Sequence, residues 1–403
     1  MALIKNLSEN TRQRIATMVS FFILPMSGFA TDIFIPSMPS MASDLQISSP
    51  QVQITLSLFL ITFGIAQLFV GAILDSYGRY KLSQVAFLLF TLASIVIALS
   101  ENIYLIYAMR VVHGVTVAVI VVAKRAYFVD LYKGEVLKNY LSIFTVVWSV
   151  GPIVAPFVGG YLQTLFGWQS NFYFLAIYAA ILGILELLFN RETIVNPVRF
   201  DFKKIGHTYL EMLTTGRFML GVIMLGLSYS MVMIYNLTGP FVIEHKLHLS
   251  PVIIGYTSLF LGLAWTCGGL ASKATMQKPL IGKIFINLAL QLTFGIIMFL
   301  SFGHLGSLFI ILFFAFVIHT SAGYTFTNFF TYNMAQFPNN AGISGGLIGG
   351  ITYMIVSPLT YALATFVPAK DERNLSISYL LLITGCALVL FGVYLMSKRK
   401  VQE

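Results

Sequence analysis

Apolar runs of about twenty residues recur along the whole 403-residue chain, at roughly 15–37, 52–74, 81–100, 103–125, 139–163, 170–190, 218–243, 252–272, 280–302, 306–331, 341–368 and 376–397. Each is long enough to cross the hydrocarbon of a bilayer as a helix. Every backbone amide inside a bilayer must be satisfied within its own segment, so helices are the form that runs of this length take. The sequence therefore predicts an all-α membrane protein with twelve transmembrane helices. Only 10% of the residues are charged, which is too few to keep a soluble surface of this size in solution.

The formal charge of +9 would suit a nucleic-acid binder, but its placement argues otherwise. An even number of spans puts both termini on one side. With that side cytoplasmic, 20 of the 24 Lys and Arg residues fall inside, and only Lys246, Lys370 and Arg373 fall outside. Arg110 lies within a span. This asymmetry is the positive-inside pattern, and it accounts for the charge with the lipid bilayer as partner and no nucleic acid. Residues 1–14 read as a polar tail rather than a cleaved leader. Cys267 and Cys386 sit in separate apolar runs and read as small core residues, not as a disulfide or a metal pair.

The chain also repeats itself. Ser49-Pro50 and Ser57-Leu58-Phe59-Leu60 recur as Ser250-Pro251 and Ser258-Leu259-Phe260-Leu261, and Pro39 recurs as Pro240. The repeat falls before the second span of each six-span half. It predicts two pseudo-symmetric bundles, residues 1–190 and 218–403, joined by a polar cytoplasmic linker over 191–217. Two similar halves place a binding site at their interface near the midplane, served by alternating access. No Gly-x-x-x-x-Gly-Lys-Ser/Thr phosphate loop is present, so an ion or substrate gradient is the expected energy source and no cofactor is implied.

Ionisable side chains inside spans are costly and mark function. The N-terminal half has Asp32, Arg110 and His113, with Glu186 expected to reach water at the inner edge. The C-terminal half has only His319 well inside a span, where a structural role is the better reading. Asp32 suits proton loading, with a structural ion pair as the alternative. Arg110 stays charged and needs a carboxylate, carbonyls or a wet cavity. His113, three residues on, suits either a proton relay or a hydrogen-bonded core histidine.

The turn Gly71-Ala-Ile-Leu-Asp75-Ser76-Tyr77-Gly78-Arg79-Tyr80-Lys81 joins the second and third spans. Gly71 and Gly78 allow a tight turn and close helix approach. Asp75 and Arg79 can lock to a neighbouring helix end, with Arg125 and Asp130 as the expected partners in a cytoplasmic gate. The fifth span holds Pro152, Pro156, Gly159 and Gly160, a bent helix with a small-residue face, and the start of the eleventh is similarly small. Tyr127, Trp148, Tyr229, Tyr235, Asn236, Tyr324 and Asn328 are the expected lining of a substrate cavity.

Taken together these residues resemble the drug:proton antiporters of the major facilitator superfamily, in particular the bicyclomycin-resistance type of multidrug efflux transporter. Thr31-Asp32 through Pro36 is similar to that family's acidic first-helix motif, and Gly71 to Lys81 resembles the superfamily's loop motif Gly-x-x-x-Asp-Arg-x-Gly-Arg-Arg. Arg110 to Gly114 resembles its fourth-helix motif, with His113 at the usual glutamine. Ala155 to Gly160, with Trp168 and Phe172, is similar to the antiporter motif, and Gly239-Pro240-Phe241 to a seventh-helix signature. Ser76 and Tyr80 stand where the loop motif has arginine.

The resemblance implies a monomer in the bacterial inner membrane that exports small amphipathic compounds against protons. Asp32 would be where proton and substrate compete, and Arg110 would tune it. A transporter for a physiological metabolite, such as a siderophore or an amino-acid-like molecule, is the alternative within this class. A membrane enzyme would need a clustered catalytic set at one face, which the sequence lacks. A receptor or scaffold does not explain the repeat or the buried ionisable residues.

Overall fold

The computed structural model describes residues 8–194, 202–301, 308–337, 341–368 and 371–402. Trp148 lies in a helix, but its side chain is outside the described set, as are Lys370 and residues 195–201 of the linker. Everything described is helical or short connection. Eleven helical segments among the described residues are long and apolar enough to cross a membrane. The fifth expected span, 139–163, falls within a further helix of 33 residues.

The first segment is broken. α1 (Glu9–Ile23) leads through Pro25 into α2 (Met26–Asp32), a 3-10 turn at Ile35–Ser37 carrying Pro36, and α3 (Met38–Asp44) carrying Pro39. Each proline removes an amide donor and so weakens the ladder where it stands. Asp32 is the last residue of α2, at the second break.

α4 (Ser49–Tyr77), α5 (Arg79–Leu99), α6 (Ile103–Leu131), α7 (Gly134–Phe166) and α8 (Gln169–Phe189) complete the first half. A linker helix, α9 (Phe202–Thr214), occupies a region that the sequence read only as a polar stretch. The second half comprises α10 (Gly216–Phe241), α11 (Pro251–Ala274), α12 (Leu280–Leu300), α13 (Leu308–Gln336), α14 (Ala341–Phe366) and α15 (Glu372–Gln402). Past Pro240 the end of α10 widens into a π turn over Val242–Lys246, as expected where a proline interrupts the ladder.

The internal repeat maps onto equivalent helix starts. α4 begins after the cap Ser48 and α11 after the cap Ser250, each with a proline in its first turn. Two residues before each cap the backbone turns left-handed, φ 53° at Gln46 and at His248. The apolar residues form two main clusters. One runs from Val19 to Leu182 with Met233, Leu237, Phe241 and Val356 added, and the other from Met212 to Val393.

The second helix of each half packs on the fifth of the other. Along α4 and α14, Gly64 and Gly350 face each other's carbonyls, and a Cβ on either would come within 2.7–2.8 Å of the opposing oxygen. Along α7 and α11, Gly160 faces the Pro251 carbonyl and Gly255 the Pro156 carbonyl, at 2.6 and 2.8 Å from a Cβ. Small residues let these backbones touch where lipid supplies no hydrophobic drive.

Candidate functional site

The site is assembled around the break in the first segment. Asp32 is 1% exposed, and its Oδ1 accepts a hydrogen bond from Asn236 Nδ2 on α10 at 3.3 Å. That bond crosses from one half to the other. The hydroxyls of Tyr229 and Tyr353 lie within electrostatic reach of the carboxylate, with their rings edge-on at 5.8 Å. From there an aromatic chain bridges the halves. Phe63 meets Tyr353 at 5.0 Å, Tyr229 meets Trp265 at 5.8 Å, and Trp265 meets Phe326 at 5.1 Å. Trp265, Phe326 and Tyr353 were not picked out by sequence reasoning, because an aromatic in an apolar run is silent until the fold shows which way it faces.

Arg110 is fully buried but forms no ion pair among the described residues. Its Nε–H donates to the Thr55 carbonyl at 3.2 Å and its Nη1 to the Ala30 carbonyl at 3.0 Å. The guanidinium lies between the rings of Phe34 and Phe59, with centroids 4.5 and 4.6 Å away. Such stacking stabilises a desolvated cation. Nη2 alone has no partner among the described residues. Arg110 acts on Asp32 through space, without contact.

His113 closes this arrangement. Its Nδ1 lies 3.4 Å from Arg110 Nη1 and its Nε2 lies 3.0 Å from Ser94 Oγ. The Ser94 hydroxyl donates to the Phe90 carbonyl at 2.8 Å, so it has a lone pair to offer the imidazole. This pattern fits one neutral tautomer, with Nε2–H donating to Ser94 and Nδ1 accepting from Arg110. The Phe90 ring stacks on the imidazole at 4.2 Å.

The fifth-span residues wedge α7 against this break. A Cβ on Gly159 would run into the Ile33 carbonyl, one residue past Asp32, and a Cβ on Gly28 would strike the Pro152 ring. Pro152 and Pro156 both lie inside the continuous α7.

At the end of the molecule that holds the termini, Arg79 bridges two acids. Nη2 donates to Asp75 Oδ1 at 2.7 Å, and Nη1 pairs with Asp130 Oδ2. Thr193 Oγ1 also donates to Asp130, at 2.6 Å. Two expectations are corrected here. Arg125 takes no part in these ion pairs, and instead lies beside Gly345 of α14 in the other half. Gly71 makes no close approach, since a Cβ there would meet nothing within 4 Å. Gly78 does need to be glycine, with φ +94° and Glu192 Oε2 2.7 Å from its would-be Cβ.

Glu192 was missed. Its carboxylate accepts from the Tyr80 amide at 3.0 Å, the Thr193 amide at 3.1 Å and the Ile194 amide at 3.2 Å, and it also bonds the Arg79 amide. It therefore caps α5, whose own N-cap Gly78 has no side chain to do so. Burial works to raise the Glu192 carboxyl, but these amides outweigh burial and hold it below the ordinary glutamate range. A local pattern search cannot find a cap supplied from 112 residues away.

The remaining expectations divide. Tyr127 is buried 3% exposed beside Thr17 and Lys124, away from Asp32. Tyr235 packs edge-on to His319 at 5.7 Å, inside the second half. Tyr324 bonds Thr275 at the end of α11 at 2.7 Å, and Asn328 bonds the Tyr324 carbonyl at 2.9 Å, so neither joins the Asp32 cluster. His319 bonds the Tyr379 hydroxyl at 3.1 Å, in line with a structural role. Glu186 does not reach bulk solvent at the inner edge, because it is 1% exposed and paired with Lys124. Cys386 is buried, but Cys267 is exposed rather than in the core.

Residues 20–361 match the family model of the Major Facilitator Superfamily. The chain belongs to this superfamily. It is 25% identical to multidrug resistance protein D of Escherichia coli over 94% of this chain and 95% of that one. It is 32% identical to the bicyclomycin resistance protein homolog of Haemophilus influenzae over 41% of this chain and 42% of that one. A crystal structure of the nucleoside transporter NupG superposes with a TM-score of 0.71, covering 96% of this chain and 99% of that one at 13% identity. At that identity the superposition shows a shared fold. As a major facilitator, the chain is a multi-pass membrane transporter rather than an enzyme.

Proposed function

We propose that this transporter exports small amphipathic, drug-like compounds across the bacterial inner membrane in exchange for protons. It crosses the membrane twelve times with both termini in the cytoplasm. Its two halves, residues 1–190 and 218–403, rock about the linker at 191–217, and it works as a monomer on the proton gradient alone. The names of the relatives support a drug-like cargo.

The observation that carries this reading is the hydrogen bond from Asn236 to Asp32, made between halves at a buried carboxylate facing an aromatic surface. An ionised Asp32 attracts both the amide of the opposite half and the cation Arg110. A proton removes that attraction, and a cationic or polar cargo docking against the same oxygens competes with it. The proton state of Asp32 thereby biases how the halves meet. Arg110 is held by carbonyls and rings rather than by Asp32, so it remains a fixed positive charge through the cycle, and His113 anchors it.

The conformation fits a closed outer side. At the end remote from the termini, Gln53 bonds the Leu237 carbonyl at 2.7 Å, Ser357 bonds the Ser57 carbonyl at 2.7 Å, and Tyr161 meets Tyr256 at 3.0 Å, all between halves. The ion pairs of Arg79 stay within the first half.

Proteoliposomes with an imposed pH gradient test the proposal. A panel of lipophilic cations, neutral antibiotics, amino acids and siderophores is added while internal pH is followed. A drug-like compound should collapse the gradient with the wild type and not with Asp32→Asn. Equal proton movement in both would make Asp32 structural. A response confined to siderophores or amino acids would shift the reading to a metabolite transporter.

A further inference from the structure

Far from Asp32, a second buried charge pair lies near the gate. Lys124 of α6 and Glu186 of α8 have side chains 3% and 1% exposed, and they pair through Glu186 Oε1. Asn190 Nδ2 donates to the same oxygen at 2.9 Å. Oε2 has no partner among the described residues. A carboxylate oxygen buried without a donor is costly, and in native proteins such groups are satisfied by water or ligand.

A small cavity lies beside Glu186. It is lined by Arg79, Tyr80, Ala123, Lys124, Tyr127 and Glu186, with Asn190, Arg191 and Thr193 at its margin. Arg79 Nε–H is likewise buried and without a partner among the described residues, although both Nη atoms are engaged with Asp75 and Asp130. The lining of one cavity thus includes the two residues that carry, among the described residues, a donor lacking an acceptor and an acceptor lacking a donor. Its size suits one water molecule, and its polar lining offers the two to four partners that a buried water needs.

We infer that this cavity is a water site, in which one water accepts from Arg79 Nε–H and donates to Glu186 Oε2, and that the water makes the Lys124–Glu186 pair part of the gate. Glu186 is then a positioning residue for Arg79. The pair sets the approach of α6 to α8, and the water fixes the guanidinium at the angle that reaches Asp75 and Asp130 together. This rests on the gate role proposed for the Arg79 cluster, and it asks nothing of proton coupling.

The test is a distance measurement on full-length protein in nanodiscs, with no substrate and no gradient. Labels at Tyr77 and Met276, both exposed at the inner ends of α4 and α11, report opening between the halves. They are attached through cysteines in a background lacking Cys267 and Cys386. Three variants separate the water from the charges. Ala123→Val fills the cavity and leaves every charge in place. Lys124→Met/Glu186→Leu removes both charges with similar volume, a change that is typically neutral or stabilising for a buried pair. Arg79→Lys removes the Nε–H.

All three should displace the open-to-closed ratio by about tenfold, the scale of one hydrogen bond to a charged group. The double variant should keep a thermal midpoint at or above that of the wild type. Arg79→Lys also loses the fork that spans Asp75 and Asp130, but it should displace the ratio less in the Ala123→Val background than in the wild type, because the link to the water is already gone there. The inference is overturned if Ala123→Val leaves the distance distribution unchanged, or if Lys124→Met/Glu186→Leu leaves it unchanged, which would make the pair a strut. Full additivity of Ala123→Val with Arg79→Lys would also overturn it. Loss of proton-coupled transport with an intact distance response would count against the antiport reading alone.

Discussion

The first half buries Asp32, Arg110, Lys124 and Glu186 within its helices. At similar depth the second half buries His319, Gln291, Asn328 and Asn333, and no Asp, Glu, Lys or Arg among the described residues. Both halves start their second helices from the same Ser-Pro signal, and each packs that helix on the fifth of the other. A shared scaffold thus carries unequal chemistry. A buried charge costs several kcal/mol unless it is paired or held by dipoles. Keeping such groups in one half leaves the other free to present rings and one amide, Asn236, to the site. The second half reads the charge state of the first through that amide.

The sharpest way to break this comparison is to exchange the neutral and charged members. Asp32→Asn should bring proton-coupled flux down to the level of protein-free vesicles. His319→Gln keeps a hydrogen-bonding group toward the Tyr379 hydroxyl, and should leave the collapse of the pH gradient unchanged. Internal pH in matched proteoliposomes reads both. A loss in His319→Gln as complete as that in Asp32→Asn would move proton handling into the second half.

A smaller effect contrasts two glycines on opposite sides of the linker. Gly159 of α7 faces the Ile33 carbonyl without room for a methyl group, whereas a Cβ on Gly282 of α12 meets nothing within 4 Å. Gly159→Ala should destabilise the protein by about 1–3 kcal/mol, as overpacking does. Gly282→Ala should be neutral or stabilising by up to about 1 kcal/mol through helix propensity. Thermal unfolding in detergent separates them. Equal midpoints would mean that α7 does not depend on its contact with the broken first segment.

Glu192 has no counterpart described in the second half, and its effect depends on pH. Its carboxyl is held below the ordinary glutamate range in the folded protein. Its stabilisation is therefore complete at neutral pH and is lost as pH falls through the folded value. Glu192→Gln should cost about 1 kcal/mol at neutral pH, the worth of a helix cap. The gap from wild type should close as pH drops below about 4.3, the ordinary glutamate value. Thermal midpoints along that series check the sign, and a gap that widens in acid would contradict the cap.

Much of this was legible in the chain. Run length and hydropathy gave the spans, since the bilayer allows few other forms. The Ser-Pro repeat gave the equivalent helix starts, and Asp32, Arg110 and His113 stood out because ionisable groups in apolar runs are rare. What stayed hidden is contact between distant segments. Glu186 looked like an edge residue until Lys124 was found beside it. Tyr127 and Tyr324 are expected in the cavity lining, but their hydroxyls bond Thr17 and Thr275 instead, while Trp265 and Tyr353 join the aromatic chain. Arg125 is an expected gate partner of Asp75 and Arg79, yet it lies against the opposite half. Periodicity gives the face of a helix only when one side is polar, and a helix with lipid on one side and protein on the other lacks that signal.

The smallest expected effect lies within the gate loop itself, where the sequence treated two glycines alike. Gly78 sits at φ +94°, a backbone that side chains rarely adopt, with Glu192 closing over it. Gly71 is in the body of α4, with open space where its Cβ would be. Gly71→Ala should leave transport at the wild-type rate and raise the thermal midpoint slightly, because alanine is favoured over glycine in a helix by about 1 kcal/mol. Gly78→Ala meets both strain and the Glu192 carboxylate, so it should lower transport and stability together. If Gly71→Ala instead slows transport while leaving the midpoint unchanged, another helix must approach Gly71 when the gate changes state. The need for glycine would then belong to a second conformation, in which the inner ends of the two halves meet.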